Sequence, residues 1–91
     1  MNLSEYNQTK KQIESMIFSS EEINCSIACE VLKGLEMDSC MKLDWINPII
    51  GNFNFMAKML IKNGSDKALE KSRNLIAKID ILLEASNAFI K

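Results

Sequence analysis

The sequence predicts an all-α fold, a small antiparallel four-helix bundle with a long C-terminal helix, and three observations carry that prediction. Apolar residues recur at spacings of three, four and seven along most of the chain, the signature of helices with one buried face. No run alternates apolar and polar residues, and the one Asn-Gly pair, Asn63-Gly64, lies between two helical patterns rather than between two strands. Finally, helix-breaking or helix-starting signals at Ser19 to Glu22, at Asn47-Pro48 and at Asn63-Gly64 divide the chain into four segments.

The first helix is expected from Ser4, which offers a side-chain oxygen as N-cap, to Phe18. Tyr6, Ile13, Met16 and Ile17 fall on one side of it, and the rest of its surface is polar. Ser19 followed by Glu22 reads as a capping box, in which serine accepts from a free N–H and the carboxylate reaches back to the cap. The second helix should start there. Ile23, Ile27, Val31, Leu32 and Leu35 form its apolar stripe, with Ala28 allowing a close neighbour; Gly34 could end it, although the pattern extends through Met37 and Met41.

Asn47-Pro48 marks the expected start of the third helix, because proline lacks an N–H and disfavours helical geometry in the residue before it but fits a first helical turn. Its apolar face is broad, running from Ile49 and Ile50 through Phe53, Met56, Ala57 and Leu60 to Ile61. Gly64 stops it. Phe53 and Phe55 cannot share a face, since a two-residue step turns a helix by about 200°. Ser65 or Asp66 caps the last helix, which nothing interrupts up to the C-terminus. That makes it about 39 Å long at 1.5 Å per residue, longer than its expected neighbours. Leu69, Ile76, Leu83 and Ile90 repeat every seven residues, beside Leu75, Leu82 and Phe89 on the adjacent row. So wide a stripe suits a helix that packs against two others, or against one and a partner molecule.

At 91 residues the chain has room for one domain, residues 1–91, and a domain of this size buries only roughly 60–65% of the surface that its unfolded form exposes. A large catalytic cleft is not expected. There is no histidine, which removes the commonest general base and metal ligand together. The three cysteines, Cys25, Cys29 and Cys40, are an odd number, and Cys25 and Cys29 at helical spacing suit buried, reduced thiols better than a bridge. Three thiols without histidine fall short of a zinc site. Asp38-Ser39 invites comparison with the serine of phosphopantetheine carriers, but Cys40, Met41 and Lys42 follow where those have an apolar residue in an acidic setting. The carboxylate pairs Glu21/Glu22 and Glu36/Asp38 are explained by helix starts. Neither an enzyme, a cofactor nor a metal is expected. A polar N-terminus and the lack of any long apolar run point to a cytoplasmic protein without a membrane segment.

The net charge of −1 hides an asymmetry: residues 1–45 carry eight acids and four bases, residues 46–91 four acids and seven bases. The halves attract one another within a molecule or between head-to-tail copies. Two apolar regions look larger than the monomer can cover. In the third helix region, Trp45, Phe55 and Met59 suggest an exposed anchor, a role for which aromatic residues and methionine are favoured. At the end of the last helix, Leu82, Leu83, Phe89 and Ile90 would overhang the shorter helices and favour homodimerisation or capture of another protein's helix. The expected function is therefore non-catalytic protein binding, by a small adaptor, inhibitor, immunity-type protein or secretion-type chaperone; only in size and architecture does the bundle resemble the bacteriocin immunity proteins. The alternative is a helical nucleic-acid-binding regulator that uses the basic stretch 58–78, with Lys58, Lys62, Lys67, Lys71, Arg73 and Lys78.

Overall fold

The computed structural model describes residues 2–90, which form four helices, α1 (Leu3–Ile17), α2 (Glu22–Lys33), α3 (Ser39–Asn63) and α4 (Asp66–Ile90). There is no strand among the described residues. The long dimension of the 45 × 26 × 19 Å molecule is set by α3 and α4, of 25 residues each, which pack against one another more extensively than any other pair. α2 packs on α1 and on α4.

α1 is capped by Asn2 rather than Ser4, the Asn2 side-chain oxygen accepting from the Glu5 N–H at 2.9 Å. The expected capping box at Ser19 to Glu22 does not form. Glu21 is the N-cap of α2 and makes no side-chain cap bond, while the Ser19 hydroxyl oxygen accepts instead from the Glu21 N–H at 3.3 Å and the Asn24 side-chain amide at 2.9 Å. Gly34 ends α2, with no extension into Met37 or Met41.

The largest departure from the sequence expectation is the start of α3. It begins at Ser39, nine residues before Pro48, with the Asp38 carboxylate accepting from the Cys40 N–H at 3.2 Å as N-cap. Pro48 lies inside the helix on an exposed face. An interior proline costs roughly 3 kcal/mol of helix propensity. Across it, Trp45, Ile46, Ile49 and Phe53 are all buried on one continuous face, and fully burying each such side chain is worth about 1.5–3 kcal/mol. Burial on both sides of the proline outweighs the local penalty. The stop at Gly64 is as expected, with φ at +78°, and the Ser65 hydroxyl accepts from the Ala68 N–H at 3.2 Å as the cap of α4.

Because α3 matches α4 in length, the C-terminal end of α4 is not bare. Leu82 and Phe89, expected in an exposed overhang, are core residues, and so is Trp45. The core runs from Ile13 and Ile17 of α1 through Cys25, Ala28, Cys29 and Leu32 of α2 to the inner faces of α3 and α4. Aromatic pairs tie α1 and the turn after it to α3: Tyr6 meets Trp45 edge-on with centroids 5.1 Å apart, and Phe18 meets Phe53 at 5.3 Å. Two buried lysines tie the loops down. The Lys42 amine donates to the last carbonyl of α2, at Lys33, over 3.0 Å and lies above the Phe89 ring; the Lys78 amine donates to the Ser19 carbonyl just past α1 and lies above Phe53.

What overhangs is the α3–α4 turn. Lys78 and Asn74 hold Ser19 and Ser20, so the α1–α2 turn meets α4 at its middle. Beyond that level, in residues 54–74, the buried residues are the small ones, Ala57, Ala68 and Ser72. Small residues let the two helices approach closely, but they supply no third wall; Leu60 and Leu69 are half-buried, and Phe55, Met56, Met59 and Ile61 stay exposed.

A candidate protein-docking groove

The groove starts from the four-residue spacing of Phe55 and Met59, which places them on one row of α3, next to the Met56–Leu60 row. Phe53, two positions before Phe55, turns inward and is 1% exposed, whereas Phe55 is 65% exposed. On α4, Lys67, Lys71, Asn74, Leu75 and Lys78 recur at spacings that put them on the facing side, with Glu70 among them. Phe18 and Ser20, from the α1–α2 turn, close one end. Together these residues line an open groove of about 840 Å³.

Its floor is apolar, made by Phe18, Phe55, Met56, Met59, Leu60 and Leu75. Its rim is polar and largely cationic. Lys67 and Lys71 are exposed there, and Glu70 is the one carboxylate. Lys78 also borders the groove, but its amine is committed to the Ser19 carbonyl and the residue is buried. The Asn74 side-chain amide donates to the Ser20 carbonyl at 3.4 Å, which fixes the height of the closing turn against α4. Methionines give such a floor adaptability, because the unbranched thioether repacks around different shapes at little cost.

Of the residues expected to bind a partner, the structure brings Phe55 and Met59 together in this groove. Trp45, Leu82 and Phe89 are no part of any exposed patch: Trp45 is enclosed between α1 and α3, and Leu82 and Phe89 face the core from α4. Leu83 and Ile90 are exposed on α4, on the row that includes Ile76, away from the groove lining. Sequence reasoning missed Phe18, Met56, Lys67 and Lys71 as members of the site. The adjacency of Phe55, Met56 and Met59 just past an inward Phe53 is the signal for the floor. The arrival of Phe18 has no local signal, since it depends on where the α1–α2 turn lands.

Among the described residues, no three His, Cys, Asp or Glu side chains gather where they could hold a metal ion. Cys25 and Cys29 are buried side by side on α2 and Cys40 is exposed. The hydrogen bond with Cys25, followed by burial, pushes the Cys29 thiol well above its ordinary range and keeps it protonated. Of the basic stretch, Lys58, Lys62, Lys67, Lys71 and Arg73 are exposed, while Lys78 is not available to a ligand. No described helix is long and apolar enough to cross a membrane. Comparison with protein-family models, with curated proteins and with solved structures finds no match to the chain.

Proposed function

We propose that the chain is a non-catalytic protein-protein interaction module, an up-down-up-down antiparallel bundle that works in a reducing cytoplasm and docks the apolar face of a helix in the groove between α3 and α4. The observation that carries this reading is the cluster of large apolar side chains, Phe55, Met56 and Met59, left exposed where α1 and α2 stop short. An exposed apolar cluster rimmed by polar residues has the composition of an interaction site. A groove between helices suits the helix-in-groove mode, in which residues at i, i+3, i+4 and i+7 of a guest supply the anchors. Support for the antiparallel order comes from Tyr6 beside Trp45, Phe18 beside Phe53, and Lys42, near the start of α3, over Phe89, near the end of α4. The enclosed thiol pair at Cys25 and Cys29 fits a compartment that leaves thiols reduced.

The test is a titration of ¹⁵N-labelled protein with a synthetic amphipathic peptide of Leu and Glu, followed by amide chemical shifts. Perturbations centred on Phe55, Met56, Met59, Lys67 and Lys71, and lost in Met59→Glu, support the groove. A peptide that moves no groove resonance overturns it. Titration with duplex DNA is the second arm: shifts confined to Lys58, Lys62, Lys67, Lys71 and Arg73, weakening steeply with salt, would favour a nucleic-acid ligand instead.

A further inference from the structure

We infer that the groove of one molecule receives the outer face of α2 from a second copy. The inference rests on the docking reading above and names the occupant.

α2 is apolar on two sides. Its inner face buries Cys25, Ala28, Cys29 and Leu32, while Ile23, Ile27 and Val31 stand exposed on the opposite side. Those three are four residues apart, so they form a single row about 12 Å long at 1.5 Å per residue. The groove wall from Lys67 to Lys78 on α4 is about 16 Å long on the same measure, enough to receive that row.

Charge matches as well as shape. Residues 21–38 carry five acids and one base, whereas residues 58–78 carry six bases and two acids, and five of those bases, all but Lys78, are exposed. Glu22 and Glu30 are exposed on α2, Glu30 already paired with Lys33 at 3.1 Å, and in the proposed contact they meet Lys67 and Lys71 of the rim. The other exposed apolar row, Ile76, Leu83 and Ile90 on α4, is a poorer guest. Its members are seven residues apart, which leaves gaps of about 10 Å. Asp80 and Asn87 lie four residues after Ile76 and Leu83 and interrupt the row.

Groove and α2 row are different patches, so the contact is heterologous, head to tail, rather than a patch meeting itself. That property gives a decisive test. Sedimentation velocity of the wild-type chain over a concentration series should show reversible self-association that weakens with salt. Met59→Glu spoils the groove and Ile27→Lys spoils the row; both residues are exposed, so each variant should keep its helical circular dichroism. Each should self-associate at least about tenfold more weakly. Mixed in equal amounts, at a concentration where either alone is monomeric, the two should form a heterodimer, because one supplies an intact row and the other an intact groove.

A wild-type chain that stays monomeric to several hundred micromolar, a mixture that does not associate, or association abolished by Leu83→Glu instead would each overturn the inference. If the chain is monomeric and the Leu/Glu peptide still shifts the groove resonances, the second copy is excluded and the docking groove stands. If neither associates, both fail.

Discussion

The indole N–H of Trp45 donates to the Tyr6 phenol oxygen at 2.7 Å, with the two rings edge to face at 71°. This contact spans 39 positions of sequence and pins the N-terminal half of α1 to α3. Trp45 is the single tryptophan, so its emission reports directly on whether α1 is docked. Tyr6→Phe keeps the ring and removes the acceptor, leaving the indole N–H of a buried residue without a partner. The expected cost is about 1–3 kcal/mol in urea unfolding, with a changed native emission spectrum. A variant as stable as the wild type would show that the bond contributes nothing net.

Phe53 and Phe55 are two residues apart and should behave as opposites. Phe53 meets Phe18 edge to face and lies under the Lys78 amine inside the core, so Phe53→Ala should cost about 3–5 kcal/mol and threaten the fold. Phe55→Ala lies on the exposed groove floor and should stay within about 0.5 kcal/mol of wild type. Thermal unfolding of the pair checks both at once; equal losses would place Phe55 in the monomer core.

Two glycines predict opposite signs on substitution by alanine. Gly64 has φ at +78°, where an L side chain is strained even though space is open, so Gly64→Ala should destabilise by about 1 kcal/mol. Gly51 lies inside α3 with nothing within 4 Å of an added methyl, and Gly51→Ala should stabilise by about 0.5–1 kcal/mol. Unfolding midpoints that move in the same direction would contradict the assigned backbone geometry.

Thiol accessibility follows the same logic. Cys40 is exposed and should react with an aromatic disulfide reagent in the native state, while Cys25 and Cys29 should react only on unfolding. One fast equivalent in buffer and three in denaturant are expected. The hydrogen bond between the two buried thiols raises the Cys29 pKa and lowers that of Cys25, but both sulfurs are enclosed, so bringing the solution to pH 9 should not expose a second fast thiol. Two fast equivalents would mean that α2 opens readily from the bundle.

The helix count and the position of α4 were legible because each depends on local chemistry: seven-residue and four-residue apolar repeats, and a glycine that stops one helix before a serine caps the next. The start of α3 was misplaced for the converse reason. Asn47-Pro48 is a strong local signal, but it is overridden by the burial of Trp45 and Ile46 on one side of it and Ile49 and Phe53 on the other. Extending α3 back to Ser39 in turn covers the end of α4, which removes Trp45, Leu82 and Phe89 from the surface and leaves the bare apolar surface at the opposite end.

By itself the sequence determined an all-helical chain of four segments, the placement of Phe53 and Phe55 on different faces though not which of them turns inward, and the acidic-to-basic polarity from one half to the other, all properties of spacing and composition. Only the tertiary structure decided where the α1–α2 turn meets α4. That point is set by Lys78 reaching the Ser19 carbonyl and Asn74 reaching that of Ser20, contacts across 59 and 54 positions of sequence that no local pattern encodes. Their placement leaves Phe55, Met56 and Met59 uncovered, and with them the groove on which the proposed function depends.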